Sequence, residues 1–414
     1  MANAIVTSSM IANETMRIVH NSSAFLGNIN VQYDSQFAQS GAKAGSTVNA
    51  RRPVQYTVRS GAVANVQDVN ETLVPIALQP EFGIDWAFSD YDLTVGIDKF
   101  SERYLQPAGK RLAAELDFRI GTIFKNGVAN FTGTPGTTPA TVANIMAGVT
   151  NLNNFATPQD MRTFAIDPTT NGAIIGGMSG LFNDQATLSR QFKEGRLATN
   201  LGVDFQMSQN LPTHTVGPLG GTPLTNGANQ GTINAGATDN PYVTTTSVVT
   251  NGWTAAAALR LNQGDVITIG GVFAVNPETK ATTGALMDFV VTAAVSSDAT
   301  GNATIIVSPG IIAGGAYQNV SNRAGTGQAI TVRTGVASTT YSQNIMFHKD
   351  AFTLVTADLE LPKGTDMASR AQADGVSLRF VRDYDITNNR RICRFDMIAG
   401  YAVLRPEWAT RVTR

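Results

Sequence analysis

Residues 98–125 read DKFSERYLQPAGKRLAAELDFRIGTIFK, and their periodicity decides what kind of fold the chain can adopt. Phe100, Tyr104, Leu112, Leu116, Ile120 and Phe124 fall largely on an i, i+4 row. Glu102, Arg103, Lys110, Arg111, Glu115, Asp117, Arg119 and Lys125 take the other faces, which is the pattern of an amphipathic helix with one buried stripe. Pro107 either kinks this helix or restarts it. From Pro107 to Lys125 it would still run about 28 Å at about 1.5 Å per residue, a long spine for a modest domain.

On the N-terminal side the period changes from helical to extended. Phe82, Ile84, Trp86 and Phe88 alternate with Gly83, Asp85, Ala87 and Ser89, as in a strand with one apolar face. Further out, Val48, Ala50, Val54, Tyr56 and Val58 alternate with Asn49, Arg51, Gln55, Thr57 and Arg59. A loop over Gly61 to Glu71 and a second extended run, Leu73 to Leu78, complete a long hairpin. Pro75 confines that second run to an edge or bulge. One limb carries Arg51, Arg52 and Arg59, and the loop carries Asp68 and Glu71; a projecting arm with both signs is suited to clasping a neighbour, and a long bare edge would invite aggregation unless covered. Residues 1–45 form an arm whose short stripe, Ile11, Thr15, Ile18 and Val19, gives a helix too short to be stable without a surface to lie on.

On the C-terminal side the reading is mixed α+β. Thr141 to Phe155 forms a helix and Arg162 to Pro168 a strand ending in a turn; Gly172 to Gly180 is a small-residue stretch leading to a helix over 183–194, and Gly195 to Pro212 runs helix, turn, strand. Composition then breaks: residues 215–340 hold nine charged residues in 126, about 7%, against about 18% elsewhere. Within this insert, Asp265 to Ile269, Phe289 to Ala293 and Ala303 to Val307 are β-branched runs separated by Gly, Asn and Asp turns, the spacing of a barrel or sandwich. Charge returns after Asn344, with strands over 344–349, 352–357, 378–384 and 391–404.

Composition excludes several functions. The chain has 414 residues, 43% hydrophobic and 15% charged, with a formal net charge of −1. Such charge scarcity points to surface hidden by assembly. Near-neutrality removes the basic field of a nucleic-acid reader. One cysteine, Cys393, excludes an internal disulfide, and no Cys/His cluster suits structural zinc. Met1 to Met16 lacks a basic segment followed by an apolar core, and no apolar run approaches about 18 residues, so neither export nor membrane spanning is expected. Catalytic patterns are missing too. His20, His214 and His348 lie in separate segments, and Gly177-Met178-Ser179-Gly180 lacks the second glycine of a nucleophile elbow. Asp383 and Asp385 share a strand face, but with Arg379, Arg382, Arg390 and Arg391 nearby they read as ion-pair partners. No cofactor is expected. Segment 379–414 carries eight arginines, no lysine and four acids; arginine suits fixed bidentate pairs between subunits, though a solvated strand face fits equally.

The order of these parts resembles a tailed-bacteriophage major capsid protein of the Johnson fold, and more closely the coat proteins of short-tailed Salmonella-type phages with a β-barrel insertion domain. The specific pieces are Gly195 to Leu211, the segment leaving the axial domain; LNQGDVITIGGVFAVNP at 261–277, the opening of the insertion barrel; and MFHKDAF at 346–352, the re-entry strand. The resemblance implies an arm (1–45), an extension-loop hairpin (46–80) and a peripheral domain with the spine helix (81–140). It further implies a first axial part (141–214), an insertion domain (215–340) and a return into axial and peripheral domains (341–414). It implies a non-enzymatic coat protein, assembled in the host cytoplasm through pentamers and hexamers into an icosahedral virion shell around double-stranded DNA. Its partners would be itself, a scaffolding protein, a portal, a decoration protein and loosely contacted DNA, with no membrane. Inter-subunit contacts are expected from Arg51, Arg52, Arg59, Asp68, Glu71, Arg390, Arg391 and Arg394, and charge reversal at Arg51 and Arg52 is expected to spare the monomer while impairing assembly. The hairpin from Thr47 to Leu78 has no lysine, which disfavours covalent crosslinking there. A tail-tube or decoration protein and a surface adhesin are the alternatives; the spine helix argues against the first, and the missing repeats and export signal against the second.

Overall fold

The computed structural model describes residues 8–34, 47–89, 101–178, 201–233 and 242–414, apart from positions 53, 57, 60, 65 and 67–72. The expected helix over 183–194, the start of the 195–212 segment, and Asp68 and Glu71 lie outside the described residues. The chain divides into two compact units, one of Met1–Ala50, Val74–Ile120 and Phe352–Ala402, the other of Arg51–Leu73, Gly121–Ala351 and Val403–Arg414.

In the first unit, helix α1 (Ser8–Ser22) buries Ile11, Ala12, Thr15, Met16, Ile18 and Val19. That is the stripe read from sequence, and the surface it lies on is the strand pair Met367–Ala373 and Val376–Asp385. Helix α2 (Gln106–Gly127) follows one π-type turn at Ser101–Leu105. Pro107 therefore stands in the first turn of the α-helix, where its missing N–H costs no hydrogen bond; the helix restarts there rather than kinking. At about 1.5 Å per residue α2 runs about 33 Å. Leu112, Leu116 and Ile120 are buried as the periodicity requires. Asp117, assigned to a polar face by pattern, is also buried. A Cβ at Gly109 would sit 2.8 Å from Ile18 Cγ2, so the glycine sets how closely α2 approaches α1.

Phe82–Ser89 is the edge of a four-stranded antiparallel sheet ordered 367–373, 376–385, 390–397, 82–89. Phe82 pairs with Met397, Ile84 with Phe395 and Trp86 with Cys393, and the Phe395 ring meets those of Trp86 and Phe380 at 5.1 Å each. A second sheet joins 30–34, 352–357 and 399–403. The hairpin differs from expectation. Among the described residues its ladder covers Thr47–Arg51 against Leu73–Ala77.

The second unit holds a sheet ordered 131–132, 409–413, 340–348, 162–166, 204–207. Helices α3 (Val142–Asn154) and α4 (Pro168–Met178) belong to the same unit. Ile145, Val149, Leu152, Phe164, Ile166, Ile174, Phe205 and Met346 form its core. Thr141 caps α3, its hydroxyl accepting from Asn144 N at 3.4 Å. The small-residue stretch after 172 is not a bare connector but part of α4. Its start, taken from sequence only as a turn, is an Asp cap followed by Pro at the first position: the Asp167 carboxylate accepts from Thr170 N at 2.7 Å.

Within residues 221–332 a six-stranded antiparallel sheet runs in the order 330–332, 266–275, 282–291, 303–308, 246–253, 221–225. All three β-branched runs read from sequence contribute to it. Its first and last strands meet at a bridge between Leu224 and Ala329 and through Thr225 N to Gln328 O at 2.9 Å. Val248, Trp253, Ile267, Ile269, Phe289, Val291, Ile305 and Val307 fill its inner face.

Candidate functional site

Among the described residues, the polar groups that stand out are buried ones that fix one segment on another. The deepest such group centres on Asp265, in the turn before Val266 and fully buried. Four donors converge on its carboxylate: His214 Nε2 at 2.8 Å, Asn262 N at 2.7 Å, Thr334 Oγ1 at 2.9 Å and Gly217 N at 3.1 Å. Thr213–Thr215 and Thr340–His348 pair as strands, so one carboxylate gathers both ends of the 215–340 segment. Arg411, with 0% exposure, comes from the C-terminal strand and donates from Nη2 to Gly264 O at 2.9 Å. Desolvation lowers the Arg411 pKa to about 10, opposed by the charges of Asp265 and Asp288. Asp288 takes both Arg333 Nη1, at 2.6 and 2.8 Å, and Phe131 N at 3.1 Å; burial raises its pKa and Arg333 opposes the rise. Burial likewise lowers the pKa of His214 and of Lys125, and Lys125 Nζ donates to Thr213 O at 3.2 Å. Losing a donor or acceptor in such a network leaves a buried group unpaired, at about 1–3 kcal/mol each.

The root of the loop after Arg51 is a second fixed point. Arg52 is only 8% exposed; its guanidinium donates to Glu407 at 2.6 Å and Leu404 O at 2.9 Å, and lies 3.7 Å from the Tyr242 ring centroid. Burial raises the Tyr242 pKa to about 12. Gln55 N donates to the Tyr317 hydroxyl at 3.3 Å, and the two tyrosine rings meet edge-on at 5.7 Å. Beside it lies an open cavity of about 780 Å³, lined among others by Tyr56, Lys280, Arg405 and Trp408.

In the first unit, the charged face of the four-stranded sheet is a lattice. Buried Asp396 is shared by Arg379 at 2.6 Å and Arg394 at 2.5 Å, both also paired with Glu81. Arg382 and Arg391 share Asp366 at 2.7 and 3.0 Å, and Arg390 meets Asp385 at 3.2 Å.

The sequence-derived contact residues thus divide. Arg390, Arg391 and Arg394 come together on one sheet, each with a partner inside its own chain. Arg51 is exposed at the end of its strand; Arg59 is exposed and donates to the carbonyls of Gly61 and Val63. Arg52, expected to clasp a neighbour, is turned inward onto Glu407 and Leu404 O of its own chain. Asp265, Asp288, Asp396 and Asp117 were not legible as fixed points. The turn before Val266 was visible, but His214 lies 51 positions from Asp265, and nothing in one sequence marks such a partner. Among the described residues, no three His, Cys, Asp or Glu side chains group as metal ligands, and no helix is long and apolar enough to cross a membrane.

A spine helix, a loop rooted by Arg52, a mixed central sheet and a six-stranded antiparallel sheet within 221–332 make up a fold of few helices and many strands, that of the Johnson-type phage capsid class. The family model described as "P22 coat protein - gene protein 5" matches residues 29–411, and the chain belongs to that family: it is a major capsid protein that forms an icosahedral shell and resides in the virion capsid. Among solved structures it is similar to a chain of Mycobacterium phage Che8 (11% identity, 99% of this chain, 93% of that chain, TM-score 0.45). Others are the bacteriophage PhiM1 mature capsid (12%, 94% and 86%, TM-score 0.41) and the CUS-3 coat protein I-domain (26%, 27% and 96%, TM-score 0.20). Comparison with curated proteins gave no match.

Proposed function

We propose that the loop after Arg51 is the principal contact between copies, closing pentamers and hexamers around double-stranded DNA. The observation that carries this reading is the row of bare apolar side chains on that loop: Val58 is 100% exposed, Val63 85%, Val66 78% and Tyr56 61%. Isolated exposed valines are ordinary; a run of them on one loop marks a surface that becomes covered. Arg51 and Arg59 on the same stretch, with Asp68 and Glu71 in its loop, add charges of both signs. Arg390, Arg391 and Arg394 form a second contact surface whose arginines exchange internal partners for a neighbour's acids.

In this reading residues 215–340 are an insertion domain closed as a barrel, and the arm, hairpin, peripheral, axial and return segments keep the bounds given above. Assembly takes place in the host cytoplasm with a scaffolding protein and a portal; a decoration protein and loose contact with DNA complete the partners. The chain performs no catalysis. Weak contacts suffice because many copies share them. Val58→Asp with Val63→Asp, co-expressed with a scaffold, tests the loop: folded subunits without closed shells in electron micrographs are expected, and normal shells would refute the loop's role.

A further inference from the structure

We propose that the open cavity beside Arg52, about 780 Å³ in volume, is a socket into which a second copy inserts the acidic part of its loop, its Asp68 and Glu71 meeting Lys280 and Arg405. The cavity lies wholly within the second unit. Two cations on its wall have no acid of their own. Arg405 stacks on Trp408, its guanidinium carbon 3.9 Å from the ring centroid, and its side chain makes no hydrogen bond or ion pair with the described residues. Lys280 Nζ donates to Ala316 O at 2.7 Å and Gln318 O at 3.4 Å, and likewise has no acid within ion-pair distance among them. Glu407 is already taken by Arg52 at 2.6 Å, Asp350 attracts Arg405 only from beyond ion-pair distance, and Glu278 stands exposed to water. Burial is the largest influence on both cations and lowers the pKa of each. A cation held partly out of water without a counter-ion is costly, and a carboxylate supplied from outside offsets that cost through charge-assisted hydrogen bonds.

The chemistry of the occupant is carried by the loop itself. Residues 61–73, GAVANVQDVNETL, contain two acids and no base. Val66, Val69 and Leu73 are interspersed with those acids, and the wall of the cavity adds apolar Val54, Phe155, Ala156 and Ala316 to its two cations. Charge and apolar character therefore match on both sides. Pockets of about 300–1,000 Å³ enclose a compact ligand, and this one has room for a short run of side chains. Val54, Gln55, Tyr56 and Val58 line it, so the root of the loop forms the socket while its acidic part fills a neighbour's. Such a contact is heterologous: each copy gives a loop to one neighbour and receives one from another, and the series closes into a ring. The socket rests on the reading of the loop as a contact between copies and names what the loop meets.

The test is carbodiimide coupling of shells assembled with a scaffold from equal amounts of ¹⁴N- and ¹⁵N-labelled wild-type subunits, read by mass spectrometry. The reagent adds no spacer, so it joins a carboxylate to an amine only where the two are in contact. A linked peptide pair joining Lys280 to Asp68 or Glu71, with one light and one heavy member, is expected, and Lys280→Arg, which keeps the charge but has no reactive amine, is expected to lose it. Links whose two members always carry the same label would place the loop in its own chain's cavity and overturn the socket. Shells that couple at other lysines but never at Lys280 would overturn it as well. Failure of the socket is separable from failure of the loop reading: if the link is missing while Val58→Asp with Val63→Asp still abolishes shells, only the socket is wrong, and normal shells from that double variant remove both.

Discussion

Arg52 and Glu407 form a largely buried ion pair at 2.6 Å that roots the loop after Arg51 on its own chain. The same guanidinium stacks on Tyr242. Reversing Arg52 to Glu therefore puts two carboxylates together in a largely buried site beside the cavity, and breaking a buried pair costs up to about 3–5 kcal/mol. Arg52→Glu is expected to lower the denaturation midpoint of the unassembled subunit strongly, whereas Arg51→Glu, at an exposed position, shifts it by less than about 1 kcal/mol. Urea titration of the two single variants separates them. The sequence-based expectation is that charge reversal at Arg51 and Arg52 leaves the monomer folded, and the two midpoints test it.

Asp117 gives a pH signature. Its buried carboxylate accepts Ser23 Oγ at 2.5 Å and Ala24 N at 3.0 Å, joining the end of α1 to α2, and burial raises its pKa to about 6. A raised carboxyl contributes stability that is fully present below its free value and is lost as pH rises through the folded one. Between pH 4 and pH 7 wild type is expected to lose on the order of 3 kcal/mol relative to Asp117→Asn. Thermal melts of both proteins across that range check the slope; parallel curves would refute it.

Asp396 and Arg394 should respond unequally although they touch. Asp396 is 1% exposed and holds two guanidinium groups, whereas the Arg394 side chain is 44% exposed and has other acids nearby. Asp396→Ala is expected to cost about 3 kcal/mol or more, and Arg394→Ala less than about 1 kcal/mol. Chemical denaturation with a matched m-value measures both.

Gly83 marks a place where backbone space is the constraint. It pairs with Asp396, and a Cβ there would run into the carbonyl oxygen of Phe395, with Asp396 Oδ1 at 2.9 Å. Gly83→Ala is expected to force Phe82–Ser89 away from its neighbour and to raise protease cleavage within 79–89; an unchanged digestion pattern would show that the edge can yield.

The covalent sequence by itself determined the periodic elements. The spine helix, the arm's apolar stripe, the Phe82–Ser89 strand and the β-branched runs of the insert were legible because amphipathic period depends only on neighbours within a few positions. The charge break at about residue 215 was legible for the same reason, being a property of composition. Only the tertiary structure decided which polar residues are fixed points. Arg52 and Arg51 are adjacent and chemically identical, yet one is sealed against Glu407 and the other stays exposed. Asp265 gains its role from His214, Gly217 and Thr334, groups that chain folding alone brings together. Burial and partner choice are set by distant contacts, and a buried charge changes its energetics by several kcal/mol with no local mark in sequence.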